Sequence, residues 1–356
     1  MKKAYLLLED GTTLEGKPFG AATASAGEVV FNTGMTGYPE SLTDPSYRGQ
    51  ILTLTYPLIG NYGVPGECKD THSIKKYFES NHIHIKGLVV SEYCEAPSHW
   101  HSRKTLHEWL KKHGIPGISE IDTRALTQRL REKGTMLGKI TSSPKDSSDF
   151  YDPDKDNLVA QVSTKRVRTY KAGPKTVVLI DCGAKNNIVR SLLQRNITVI
   201  KVPWNYDFFE KGIKPDGIFI SNGPGDPMII TETHAIVKKC LDSSLPVFGI
   251  CLGNQVMAIA AGAKTYKLPY GHRAQNQPCM NLETGTCFIT SQNHGFAVEE
   301  KSLPQSFKPW FVNVNDKTIE GIKHASKPIM AVQFHPEATP GPTDTSYLFD
   351  EFVAQL

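Results

Sequence analysis

The chain has 356 residues, 39% hydrophobic and 21% charged, with 40 basic and 36 acidic side chains for a formal net charge of +4. That length accommodates two domains, the composition is that of a globular protein, and so balanced a charge gives no ground for nucleic-acid or membrane-surface binding. No apolar run approaches the ~20 residues of a membrane span, and the cysteines are odd in number and scattered without a C-x-x-C, which predicts free thiols in a reducing compartment, by default the cytosol.

The N-terminus reads as a first strand over 5–8 and a turn. Glu9 and Asp10 end its apolar stretch too early for a signal peptide. Further strands are predicted at 28–31, 51–54 and 87–90, with turns at Asp10-Gly11, at Asp44-Pro45-Ser46 and across 60–66. A helix over 104–113 is stopped by Gly114, and a second runs from the N-cap Asp122 to Gly134. Residues 1–142 are thus expected to form a β-rich α/β domain. Residues 143–174, polar and without periodicity, are expected to be a linker. From 175 the pattern changes: strands at 176–180, 197–202, 217–221 and 247–250 alternate with helices at 186–194, 230–241 and after Cys251. That alternation predicts a mostly parallel sheet over 175–356, covered on both faces, with any ligand at the carboxyl ends of its strands.

Gly249-Ile250-Cys251-Leu252-Gly253 lies between such a strand and a helix. It is the thiol counterpart of the G-x-S-x-G elbow, in which glycines let the chain turn sharply and raise a nucleophile above the sheet. A thiol at a helix N-terminus also lies in the positive end of the helix dipole, which favours the attacking thiolate. A cysteine nucleophile needs a base, and the base needs an orienting group. The apolar run 329–334 ends in His335-Pro336-Glu337, and in extended chain residues two apart share a face, so Cys251, His335 and Glu337 can fill those roles, although H-P-E taken alone reads equally as a surface turn. The loop 221–227 would lie at another strand end. Gly223-Pro224-Gly225 is explained by a tight turn, and equally by backbone N–H donors for an oxyanion, with the N–H of Leu252 as a second donor.

Neither G-x-x-x-x-G-K-[ST] nor G-x-G-x-x-G occurs, which argues against ATP-driven phosphate chemistry on this chain. Cys94 with His99 and His101 matches no common metal spacing, so no metal site is expected.

Phe248-Gly-Ile-Cys-Leu-Gly, Ser221-Asn-Gly-Pro-Gly-Asp-Pro, Ser291-Gln-Asn-His-Gly-Phe and Phe334-His-Pro-Glu resemble class I glutamine amidotransferases. The N-terminal runs from Gly27 to Tyr47 and from Leu54 to Gly63 resemble the small subunit of carbamoyl phosphate synthetase, or the same segment of fused pyrimidine-pathway enzymes. The resemblance implies glutamine hydrolysis by Cys251 (nucleophile), His335 (base) and Glu337 (orienter). It implies a glutamine pocket of Ser46, Gly223, Gly225, Leu252, Gln255, Asn293, Gly295 and Phe296, with an oxyanion hole from the N–H groups of Gly223 and Leu252. It implies no cofactor on this chain, ATP and metal being expected on the synthase. The implied partner is a large subunit or fused synthase domain that receives the ammonia, since ammonia freed into water is protonated and stops being a nucleophile. The family usually has His where this chain has Asn254; the position is outside the triad, so hydrolysis is expected to survive. Two other readings are a non-catalytic regulatory subunit, and a stand-alone cysteine hydrolase acting on γ-glutamyl peptides.

Overall fold

The computed structural model describes residues 3–356. The chain divides into two compact units between Asp156 and Asn157.

In the N-terminal unit seven strands close into a barrel. Around it, Ala4–Leu8 is followed by Met136–Thr141, Ser25–Asn32, Gln50–Leu54, Gly87–Val89, Pro116–Ser119 and Thr13–Gly20, which pairs back to the first. Closure removes the exposed edges that an open sheet would leave. The pairings that join Ser25–Asn32, Gln50–Leu54, Gly87–Val89 and Pro116–Ser119 are parallel. Parallel neighbours need crossovers, and these carry helices α1 (Tyr38–Thr43) and α2 (Leu106–Lys112), while α3 (Thr123–Lys133) precedes the last strand. The ends of α2 and α3 follow local chemistry. Thr105 and Glu108 form a capping box on α2, Asp122 caps Ala125 N–H on α3, and Gly134 ends α3 at φ 94°. Val30, Leu52, Leu88, Trp109 and Leu110 belong to one buried cluster of this unit.

The stretch expected as a linker is largely built into the two units. Lys139, 5% exposed at its side chain, donates to the carbonyls of Asp146 and Ser148, and its ammonium lies 4.6 Å from the Phe150 ring centroid. Beyond Asp156, residues Leu158–Val162 form α4, and Arg168–Tyr170 joins the edge of the second unit's sheet, antiparallel to Ile197–Pro203. An exposed edge strand has no apolar face to alternate, which is why its sequence reads as polar coil.

The C-terminal unit is built on ten strands. Five are parallel: Ile197–Pro203, Lys175–Asp181, Gly217–Ile220, Val247–Ile250 and Ile329–Val332, in that spatial order. The sheet continues antiparallel through Ile319–His324, Phe307–Asn313, Thr265–Asn281 and Cys287–Val298. The expectation of a mostly parallel sheet is therefore corrected to half. From Thr265 to His324 the strands follow one another with no α-helix between them, so they pair antiparallel. Helices α5 (Asn186–Gln194), α6 (Thr231–Asp242), α7 (Leu252–Ala260) and α8 (Tyr347–Val353) accompany the parallel strands. Ile218 and Ile220 pack in a cluster with Ile236 and Val237 of α6 and Val256 and Met257 of α7. Phe219, between them and so on the opposite face, lies 5.6 and 5.5 Å from the rings of Phe349 and Phe352 of α8.

Candidate active site

The strand Val247–Ile250 ends directly at Cys251, which is the N-cap of α7 at φ 54°, ψ −105°. A non-glycine residue held there stores about 1–3 kcal/mol of backbone strain, which persists only where its surroundings over-determine it. Here they do. Cys251 N–H donates to Val332 O at 2.8 Å, and Cys251 O accepts from the N–H groups of Asn254 and Gln255 at 3.0 and 3.2 Å. Both elbow glycines are sterically required. A Cβ on Gly249 would sit 2.8 Å from the Gly253 carbonyl, and one on Gly253 would sit 2.4 Å from Ile220 O.

The base arrives from the neighbouring strand Ile329–Val332, but not in extended chain as expected. The strand ends at Val332, and His335-Pro336-Glu337 lies in a turn closed by Ala338 N–H to His335 O at 3.0 Å. His335 is anchored by its own N–H to Ser291 O at 2.9 Å. The turn brings His335 Nδ1 within 2.6 Å of Glu337 Oε1, and both residues are buried. His335 Nε2 is buried without a hydrogen-bond partner. Burial alone would lower the His335 pKa, but the Glu337 charge and the Cys251 thiol outweigh it and raise the imidazole to about 10.

Glu337 is held ionised by a residue the sequence reading passed over. Lys185, at the N-cap of α5, places Nζ 3.0 Å from Glu337 Oε1, with the two side chains 4% and 0% exposed, and also donates to Ala338 O. Burial pushes the Glu337 carboxyl up, yet Lys185 and then His335 bring it down to about 2. Lys185 follows the strand Lys175–Asp181 by four residues, at the same sheet end as Cys251, and that position was its one available signal.

Several expected pocket residues lie around the thiol. Cys251 Sγ is 3.7 Å from Asn293 O, and Gln255 Nε2 donates to Phe296 O at 2.9 Å. Gly295 lies between them on the strand Cys287–Val298. Gly223 packs so closely that a Cβ there would meet Cys182 O at 2.2 Å and the Leu252 side chain at 2.7 Å, and Gly225 turns the loop at φ 83°. The N–H of Leu252, at the first position of α7, has no acceptor within the helix. Ser46 belongs to the N-terminal unit, in the short helix Pro45–Tyr47, where Asp44 Oδ1 accepts its N–H at 2.9 Å. The side-chain amide of Asn254 donates to Gln333 Oε1 at 3.0 Å. Cys94, His99 and His101 form no metal-ligating group among the described residues.

Residues 6–140 match the carbamoyl-phosphate synthase small chain, CPSase domain, and residues 178–355 match the class-I glutamine amidotransferases. The chain is 50% identical to the arginine-specific small chain of carbamoyl phosphate synthase from Saccharomyces cerevisiae, with 99% of this chain and 89% of that one covered. This chain belongs to the carbamoyl phosphate synthase small-chain family. Another relative, the carbamoyl phosphate synthase small chain of Pyrococcus furiosus, is 48% identical over 100% of this chain and 98% of its own. The multifunctional protein CAD of Squalus acanthias is 52% identical over 98% of this chain, which spans only 16% of that protein. A small-chain family member with a class I amidotransferase domain thus carries, at the matching strand ends, the buried Cys251, His335 and Glu337. Among the described residues no helix is long and apolar enough to cross a membrane.

Proposed function

We propose that this chain hydrolyses L-glutamine to glutamate and ammonia at Cys251 and delivers the ammonia to a carbamoyl phosphate synthase large chain or fused synthase domain. The observation that carries the reading is the strained Cys251 beside an imidazole whose Nδ1 is bonded to a buried, ionised Glu337 while Nε2 has no other partner.

Cys251 Sγ attacks the carboxamide carbon, and the thiol proton is held at His335 Nε2. The carbonyl oxygen gains the negative charge, for which the Leu252 N–H and the Gly223 N–H are the candidate donors; one such donor is typically worth about 2.7–4 kcal/mol. As the tetrahedral species collapses, the C–N bond breaks, His335 returns the proton to the leaving nitrogen, and ammonia departs from a γ-glutamyl thioester. Water then attacks the thioester with His335 as base, releasing glutamate and restoring the thiol. Glu337 keeps the imidazole in one orientation and stabilises it while charged.

Carbamoyl phosphate synthesis from this ammonia, with its ATP and metal, belongs in this reading to the synthase partner, in the pyrimidine or arginine pathway, and the address is the cytoplasm. Ser46, Gln255, Asn293, Gly295, Phe296, Gly223 and Gly225 are the proposed glutamine contacts. The test is intact-mass spectrometry after incubation with an electrophilic glutamine analogue. One adduct on the native chain, absent from Cys251→Ala, supports the reading. A folded native chain that takes no adduct refutes it in favour of a regulatory subunit.

A further inference from the structure

A second group of buried titratable side chains lies on the antiparallel strands. The facing atoms of His272, His294 and Glu320 are all within 4.8 Å of one another. His272 and His294 stand opposite each other on the paired strands Thr265–Asn281 and Cys287–Val298, with rings 4.9 Å apart at 87°. Glu320 comes from the strand Ile319–His324 and is fully buried. Its Oε1 meets His272 Nδ1 at 3.1 Å, while Oε2 has no partner. His272 Nε2 meets Asp316 Oδ2 at 2.7 Å.

A ring with a carboxylate at each nitrogen is a double donor, hence an imidazolium, and has no lone pair left for a metal. The cluster therefore reads as an ion pair rather than a metal site. Burial would lower the His272 pKa, but Asp316 and Glu320 raise it to about 9, while burial pushes the Glu320 carboxyl up against the pull of His272. His294 goes the opposite way: burial, and then the charge on His272, push it well below its ordinary value, so it is neutral. Its Nδ1 lies 2.9 Å from Phe296 O and its Nε2 3.0 Å from Gln292 Oε1, two acceptors of which a neutral ring can donate to only one.

Phe296 O is also the acceptor for Gln255 Nε2, and Asn293, next to His294, places its carbonyl against Cys251 Sγ. The cluster thus leads from Asp316, 42% exposed, through Glu320 and His272 to His294, whose ring meets that of His272 edge-on, and on to the strand segment flanking the thiol. Apolar side chains could fill the same space with no loss of stability; what the buried pair adds is one orientation and one charge state.

We propose that Glu320 and His272 are positioning residues for the amidotransferase reaction, their ion pair holding His294 and with it the 293–296 segment against Cys251 and Gln255. This rests on the reading that the Cys251 site hydrolyses glutamine. The charged and titratable groups around His272 are Asp316, Glu320 and His294. Arg273 follows it in the chain, Tyr266 and Cys279 on its own strand feel the Glu320 charge, and His335 acts on His294.

The test compares glutamine KM and kcat for the full native chain, Glu320→Gln and Asp316→Asn between pH 6 and 8.5, together with thermal unfolding and zinc content. Glu320→Gln is expected to raise KM about tenfold with a smaller change in kcat, the scale on which removing an outer support loosens a site. With one carboxylate gone, the His272 pKa falls, so the ratio of variant to native KM grows as pH rises. Asp316→Asn, at the exposed end where no buried void forms, moves KM the same way by a smaller factor and decides the matter if Glu320→Gln does not fold. Unchanged KM in a reactive protein, or a lower melting temperature with unchanged kinetics, overturns the inference alone. So does stoichiometric zinc in the native chain that Glu320→Gln loses. A native chain that takes no Cys251 adduct sinks the parent reading and this inference with it.

Discussion

Replacing Lys185 by Met removes the cation from a fully buried carboxylate while keeping the length of the side chain. In the native chain the Glu337 carboxyl lies at about 2 instead of its ordinary 4.5, although burial by itself would raise it. That difference corresponds to about 3 kcal/mol. It agrees with the ~3–5 kcal/mol typically lost when one partner of a buried ion pair is deleted and the other left uncompensated. Because the folded pKa is depressed, this stabilisation is complete above about pH 4.5 and disappears as pH falls through about 2. Lys185→Met is therefore expected to be less stable than native at pH 7 by about 3 kcal/mol, with the gap closing on acidification. In the variant burial is opposed by His335 and a backbone hydrogen bond without the Lys185 charge, so Glu337 protonates at higher pH and the acid limb of kcat moves upward. Urea unfolding at pH 7 and pH 4, with glutaminase rates across the same range, reads both effects. A variant within about 0.5 kcal/mol of native whose acid limb has not moved refutes the view that Lys185 holds Glu337 ionised.

Cys251→Gly and Cys251→Ala both abolish adduct formation, but glycine relieves the φ 54° strain and alanine does not. The glycine variant is expected to melt about 2–4 °C above the alanine variant, the shift from about 1 kcal/mol net of glycine's own entropy cost; equal melting temperatures in scanning calorimetry would show that the elbow is unstrained. Gly253→Ala places a Cβ 2.4 Å from Ile220 O, forcing α7 and the thiol away from the sheet. Steady-state rates should fall about 100-fold, and a near-native kcat would contradict the steric argument. Gln255→Ala removes the donor to Phe296 O and is expected to raise glutamine KM about tenfold, a hydrogen bond's worth; a change confined to kcat would place Gln255 outside the binding pocket.

The elbow was legible in the sequence because its constraint is local. Two glycines stand two residues to either side of Cys251 at a strand–helix junction, and close approach to Gly253 and Ile220 leaves no alternative. His335 and Glu337 were legible as a pair, while strand end and turn stayed open, since Ala338 and Thr339 take positive φ values of 54° and 55° that nothing in their side chains announces. Lys185 was illegible because a lone lysine near a helix start reads as solvated, and its burial is decided by a residue 152 positions away. The same holds for His272, Asp316 and Glu320. Their meeting depends on the pairing of Thr265–Asn281 with Phe307–Asn313 and of that strand with Ile319–His324, whose register shifts twice around Phe311. The strand–helix alternation up to Ala260 revealed four of the five parallel strands, and the helix-free run after it would have revealed the antiparallel strands.

Asn254, where the family usually has His, can be judged from the same contacts. It lies three residues past the nucleophile, fully buried, and its amide donates to Gln333, two residues before the base. The bridge therefore ties the first turn of α7 to the segment that delivers His335. It leaves Asn254 Oδ1 and Gln333 Nε2 without partners, a cost of about 1–3 kcal/mol for each such atom. The groups that set the charge of the triad are Lys185, Glu337, His335 and Cys251 itself, and neither amide is among them. An amide at this position keeps a mechanical link between nucleophile and base without adding a titratable ring. The departure thus bears on how firmly α7 and the 333–335 segment hold together, and so on the rate of the reaction rather than on whether it can occur.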